Sequence, residues 1–291
     1  MADAEGEEFR PSPISGSWYP SDASELSEEL RGYLDNAELP AFSGKLSALI
    51  LPHAGYYYSG QTAAFALKAI RGKSYKRVII LSPSHQAYQG NLITSGHSAY
   101  RTPLGMVPVD RTTLEILAEK LAREGLSLNP VRFDREHSIE IQLPFLQEVL
   151  TGGFKLIPIS MMDQSVSTVK VLASILVEML SSLPEGEETL LIASSDLSHY
   201  HNQNQANRLD NRLIESLKNF DLMDFYKNVK AQSIEACGYG AIACVRLTAQ
   251  KLGANQFSVA DYRTSGDISG DRKAVVGYLS AIISKGEGDE N

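Results

Sequence analysis

The chain has 291 residues, 43% of them hydrophobic and 21% charged, the profile of a water-soluble globular protein long enough to bury a sizeable core. Its formal net charge is −8, and its basic residues are scattered instead of forming the Lys/Arg stripe that neutralises phosphates, which argues against a nucleic-acid partner. No uncharged apolar stretch approaches the ~20 residues of a membrane-spanning helix, and the acidic start over 1–8 lacks the basic and apolar regions of a secretory signal, so a cytoplasmic protein without a membrane partner is expected.

In chain order, the charged segments 1–9 and 285–291 are expected to be frayed ends around one domain over 10–284, because no repeat, linker or Pro/Gly-rich hinge interrupts the middle. Short apolar runs then alternate with amphipathic helical patterns: strand 46–51 and helix 59–70, strand 77–82, strand 154–160 and helix 166–180, strand 189–193 and helix 203–217. Segments 91–94 and 106–109 read as the two arms of a hairpin, and 257–262 and 274–283 as further strands. The alternation predicts an α/β fold of three layers, α/β/α, around a mixed, mostly parallel sheet. Ligands of such sheets bind beyond the carboxyl ends of the strands.

Histidines stand at those ends. One run reads Leu49-Ile50-Leu51-Pro52-His53 and another Ile79-Ile80-Leu81-Ser82-Pro83-Ser84-His85. A third, Leu191-Ile192-Ala193-Ser194-Ser195-Asp196-Leu197-Ser198-His199, adds an acid three residues before its histidine. Each alone is as well read as a hydrogen-bonded structural histidine. Three at equivalent places point to metal ligation, proton transfer near neutral pH, or both.

The two cysteines, Cys237 and Cys244, lie seven positions apart, about 10 Å along a helix and too far for a disulfide. Cys237 directly precedes the apolar helical stretch 241–252, where a helix N-terminus favours the thiolate. Cys244 falls inside that stretch and reads as core. In Phe133-Asp134-Arg135-Glu136-His137-Ser138-Ile139-Glu140, Asp134 or Ser138 is a candidate helix cap. Glu136, His137 and Glu140 are candidates for binding substrate or orienting the residues that do. His97 and His201 read as surface or loop residues. Tyr56, Tyr57, Tyr58 and Trp18 are candidates for an aromatic lip around a ligand, although such residues serve equally as packing.

These motifs resemble the Memo family over nearly the whole chain. The matching segments are Gly16-Ser17-Trp18-Tyr19-Pro20, Pro52-His53-Ala54-Gly55-Tyr56, Pro83-Ser84-His85, Tyr100-Arg101-Thr102-Pro103-Leu104, Glu136-His137-Ser138-Ile139-Glu140, Ser194-Ser195-Asp196 with His199, and Cys237-Gly238. The resemblance implies the fold of class III extradiol dioxygenases, which hold Fe(II) with two histidines and a glutamate and use another histidine as acid/base. His53 and His85 then fall at the histidine ligands and His199 at the acid/base, while Cys237 stands where those enzymes have glutamate. Asp196 becomes an additional ligand or an orienting carboxylate. Thiolate is softer than carboxylate and changes the preference among metals, which argues against ring cleavage. The resemblance implies iron or copper with redox activity, and signalling through protein partners in eukaryotic members. Zinc suits the same ligands, so a zinc-dependent hydrolase is a further reading. An adaptor that holds a peptide or small molecule in the same cleft is another.

Overall fold

The computed structural model describes residues 9–39, 41–184 and 188–286. In chain order its elements are β1 (Phe9–Arg10), α1 (Ala23–Asn36), β2 (Lys45–Leu51), α2 (Tyr56–Leu67), β3 (Arg77–Pro83), β4 (Leu92–Ser95), β5 (Ala99–Thr102) and β6 (Gly105–Pro108). There follow α3 (Arg111–Arg123), β7 (Leu128–Val131), α4 (Leu143–Val149), β8 (Lys155–Met161), α5 (Val166–Ser181), β9 (Thr189–Ser194) and β10 (His199–His201). The last are α6 (Gln203–Lys218), α7 (Leu222–Lys230), α8 (Tyr239–Lys251), β11 (Gln256–Thr264), α9 (Ser265–Ser269) and β12 (Val275–Lys285).

The apolar runs become the centre of a nine-stranded sheet ordered β10-β12-β2-β9-β3-β8-β4-β7, with β11 also on β12. β2, β9, β3 and β8 run parallel, and their residues are buried almost end to end. A strand covered on both faces needs that continuous apolar run, because neither set of alternate side chains meets water. Antiparallel pairings join β12 to β2 and β4 to β8 at the margins. Helices α1, α2 and α4 pack together, while α8 lies against β2, β3 and β9 and against α5, which in turn packs on α3. The fold is therefore α/β with helices on both sides of a mixed sheet.

Helix starts follow from short polar side chains. Asp22, Asp110, Ser165, Asn202 and Asp221 each accept a backbone N–H of the first turn of the helix that follows, satisfying donors that have no partner within the helix. In α1, Leu26, Leu30 and Leu34 recur every four residues and are all buried, each worth about 2 kcal/mol of transfer from water.

The expected hairpin does not form. β4 pairs with β8 and β7 in the main sheet, whereas β6 pairs with β5, which also holds β1 in a separate three-stranded sheet. Phe9 and Lys285, assigned to frayed ends, both lie in strands; 1–8 and 287–291 fall outside the described residues. Neither Asp134 nor Ser138 caps a helix, since α4 begins after a 3-10 turn at Glu140–Gln142 without a side-chain cap. His97 is in a loop but buried, with Nε2 2.9 Å from the Arg132 carbonyl. His201 belongs to β10 and lies 2.9 Å from Glu235. Among the described residues no helix is long and apolar enough to cross a membrane.

Candidate metal centre

Three adjacent parallel strands end together. Leu51 of β2 pairs with Ser194 of β9, and Ala193 of β9 pairs with Leu81 of β3. The residues just past these pairs, His53, Asp196 and His85, consequently emerge side by side. Cys237 arrives from the loop before α8, whose amide donates to the Asp196 carbonyl at 3.2 Å. That approach requires glycine next in sequence: a Cβ at Gly238 would lie 2.9 Å from the Ser194 carbonyl and 2.9 Å from Ser195 Cβ.

His53, His85 and Cys237 offer one ligand atom each, all within 4.8 Å of one another. His53 is buried and its Nε2 lies 3.2 Å from Cys237 Sγ. An ion about 2.0 Å from nitrogen and 2.3 Å from sulfur at a tetrahedral angle separates the two by about 3.5 Å, so the pair fits a common ion with little movement. His85 is 35% exposed, which leaves the group open to solvent on its side.

Each imidazole is held by its other nitrogen. Ser194 Oγ donates to the Ser138 carbonyl at 2.6 Å. A hydroxyl has one proton, so its lone pairs face the Gln142 amide at 3.0 Å and the His53 ring at 3.1 Å. His53 Nδ1 is therefore protonated and Nε2 carries the lone pair toward Cys237. His85 Nδ1 lies 3.0 Å from Glu136 Oε1, and His199 Nδ1 donates to the Leu197 carbonyl at 2.8 Å. In its neutral form each of the three rings therefore carries its lone pair on Nε2.

The electrostatics follow from burial and these partners. Burial, then the neighbouring His137 and His85, holds His53 well below the ordinary histidine range, hence neutral. Burial alone would raise the Glu136 carboxyl, but hydrogen bonds from His85 and Ser138 outweigh it and keep it ionised; that carboxylate in turn raises His85. Burial lowers His199 and takes His137 down to about 4. Asp196 is pushed by burial up to about 7, opposed by the His53 amide on its Oδ1 at 2.7 Å. The Cys237 thiol is raised to about 12 by burial and by Asp196. The thiolate expected from its place at a helix start is thus not the resting form without a metal, because desolvation exceeds the helix-end contribution.

The remaining candidates divide. His137 stacks on His85 at 4.7 Å and against Trp18 at 4.4 Å between ring centroids. It joins Glu136 and His85 in a second cluster of ligand-type groups. Glu140 belongs to another network, bonded to Arg10, Ser12 and Tyr19. Tyr56 is no lip residue: it is buried, with its hydroxyl on the Ile141 carbonyl and its ring on Phe145. Tyr57 and Tyr58 are exposed. Ser194, Ser138 and Gln142 hold the rings; the first two stand inside the matching segments and Gln142 just after one, but nothing in the sequence marked any of them for that role.

The Memo family model, described as Memo-like protein, matches residues 10–282. The chain belongs to the Memo family. It is 34% identical over 269 residues to a MEMO1 family protein of Nitrosopumilus maritimus, covering 91% of this chain and 96% of the relative. A MEMO1 family protein of Thermotoga sp. strain RQ2 is 37% identical over 282 residues, covering 93% and 98%, and one of Methanosarcina barkeri is 33% identical over 276, covering 94% and 100%. The Memo match begins at the strand carrying Arg10 and ends within β12, so it includes every element that contributes to the site.

Proposed function

We propose that this Memo protein holds one redox-active transition metal ion, iron or copper, through His53 Nε2, His85 Nε2 and Cys237 Sγ. The observation that carries the reading is that both histidines are held at Nδ1 while their ligand atoms and the Cys237 sulfur lie within 4.8 Å of one another. Ser194 and Glu136 tie down Nδ1 and so leave each Nε2 for a metal ion, the arrangement by which partners beyond the ligands orient and strengthen ligating imidazoles. A bound ion of this kind would supply electron-transfer or oxygen chemistry, and a mixed His/Cys set suits copper, iron or zinc better than magnesium or calcium.

The protein's own groups divide the remaining work. Asp196 accepts the His53 amide and so fixes the backbone that delivers the ring, which suits the orienting role better than direct ligation. His199, with Nδ1 tied to the Leu197 carbonyl, keeps Nε2 free to take or give a proton beside the centre. The solvent-facing side of His85 is the side from which a small ligand reaches it.

The test is elemental analysis of protein purified without chelator or affinity metal, followed by anaerobic addition of Fe(II) and Cu(I). Near-stoichiometric iron or copper is expected, abolished by His53→Ala and by Cys237→Ala. Retention of the metal by both variants overturns the ligand assignment. Zinc content with hydrolytic turnover and no redox response would replace the redox reading with a hydrolase.

A further inference from the structure

Arg10 is 2% exposed and lies over the Tyr100 ring at 4.8 Å. Its Nε meets Asp134 at 2.8 Å, and its Nη2 reaches Asp134 as well. Nη1 bonds Glu140, and Nη2 also donates to the Glu136 carbonyl. Every acceptor belongs to the short stretch 134–140. Between the end of β7 and the 3-10 turn at Glu140 that stretch has no helix or strand of its own, so Arg10 stands in for regular backbone pairing. The other end of Glu136 faces the metal centre: its carboxylate accepts the His85 amide, His85 Nδ1, the Ser138 amide and hydroxyl, and the His137 amide.

We infer that Arg10 is a positioning residue for His85, acting through the Glu136 segment, and that the small β1-β5-β6 sheet exists in part to deliver it. The inference rests on the proposed metal centre. The guanidinium fixes the Glu136 backbone, the Glu136 carboxylate fixes the protonated Nδ1 of His85, and Nε2 is thereby aimed at Cys237. A planar fork is needed because three acceptors lie in different directions; the point charge of lysine cannot serve them together. His53 meets this chain of contacts only through the Ser138 carbonyl that Ser194 bonds; its Nδ1 is held by Ser194, itself bonded by Gln142, so its tautomer does not turn on the Glu136 carboxylate. The two rings therefore separate a specific positioning role from general loosening.

The experiment compares wild type with Arg10→Lys, using long-range 1H–15N spectra of the histidine rings in metal-free protein and Cu(I) affinity by competition with a chromophoric chelator. In the variant His85 should change from one Nδ1–H tautomer to a mixture while His53 keeps its own, and Cu(I) affinity should fall about 10–100-fold. An unchanged His85 ring, or equal changes in both rings, overturns the inference. Should Arg10→Lys not fold, Asp134→Asn, which leaves Arg10 and Glu140 in place, is read by the same two criteria. Failure of wild type to bind Cu(I) through His53 and His85 would sink the metal centre instead, while the ring spectra would still decide the role of Arg10.

Discussion

Cys237 and Asp196 clasp each other through their backbones: the Asp196 amide donates to Cys237 Sγ at 3.3 Å, and the Cys237 amide donates to the Asp196 carbonyl at 3.2 Å. The sulfur is thus placed by main chain, not by a free rotamer. Cys237→Ser should preserve the clasp, because a hydroxyl also accepts an amide, and removes only the soft ligand. The variant is expected to unfold in urea within about 1 kcal/mol of wild type while losing Cu(I) affinity by at least 100-fold. Undiminished Cu(I) binding in the chelator competition would show that the thiol is not a ligand.

Gly238 lets the cysteine approach. A methyl there meets the Ser194 carbonyl and Ser195 Cβ at 2.9 Å and Pro83 Cδ at 3.0 Å, all parts of strands β9 and β3 or the residues that follow, which do not yield easily. Gly238→Ala is therefore expected to push the Cys237 loop off the strand ends, costing about 1–3 kcal/mol as overpacking and weakening metal binding even though every ligand remains. A variant with wild-type urea midpoint and wild-type affinity would refute the close approach.

His137 gives a pH signature. Burial first, then the nearby charges, sets its folded value at about 4 against 6.5 for an ordinary histidine. The unfolded chain binds the proton more readily, so this group's contribution is intact above pH 6.5 and is lost as pH falls from 6.5 to 4. Asp196, raised to about 7 from 3.8, works the other way over nearly the same range and flattens the wild-type profile. In His137→Gln the histidine part disappears. Measured by urea unfolding of metal-free protein, the variant should gain on wild type by about 1.4 kcal/mol per pH unit between pH 6.5 and 4. Parallel stability curves would mean that His137 titrates normally.

How much of this was legible in the sequence depended on the range of the interaction. Unbroken apolar runs ending in Pro52-His53 and Pro83-Ser84-His85 marked buried parallel strands and the edge at which their histidines emerge. Cys237 was legible from the glycine and apolar helix after it, together with the family motif. Its protonation was not, because a helix end contributes under about 1 kcal/mol at the surface, whereas burial depends on walls that no local pattern describes. Asp134 looked like a cap because its neighbours are polar; its partner, Arg10, is 124 positions away in a strand of two residues. The mistaken hairpin has a similar origin: β4 and β6 each carry the pattern of a short strand, and the choice of partner was made by the long strand β8, not by the turn between them.

Ser194 offers the sharpest check on the tautomer argument. Its only proton goes to the Ser138 carbonyl, which obliges the oxygen to accept from His53 Nδ1 and from Gln142. Ser194→Ala deletes that acceptor without touching any proposed ligand. Gln142 keeps the Pro52 carbonyl at 2.8 Å, but His53 Nδ1–H is left buried and unpaired, a loss of about 1–3 kcal/mol. The ring then gains by moving its proton to Nε2, where it opposes a metal ion. Ring spectra should show His53 shifted toward the Nε2–H tautomer with His85 unchanged, the mirror image of the Arg10→Lys pattern. Cu(I) affinity should fall about 10–100-fold. If His53 in Ser194→Ala kept Nδ1–H and full affinity, the hydroxyl would not be what fixes the ring, and the support for reading this cluster as a metal centre would go with it.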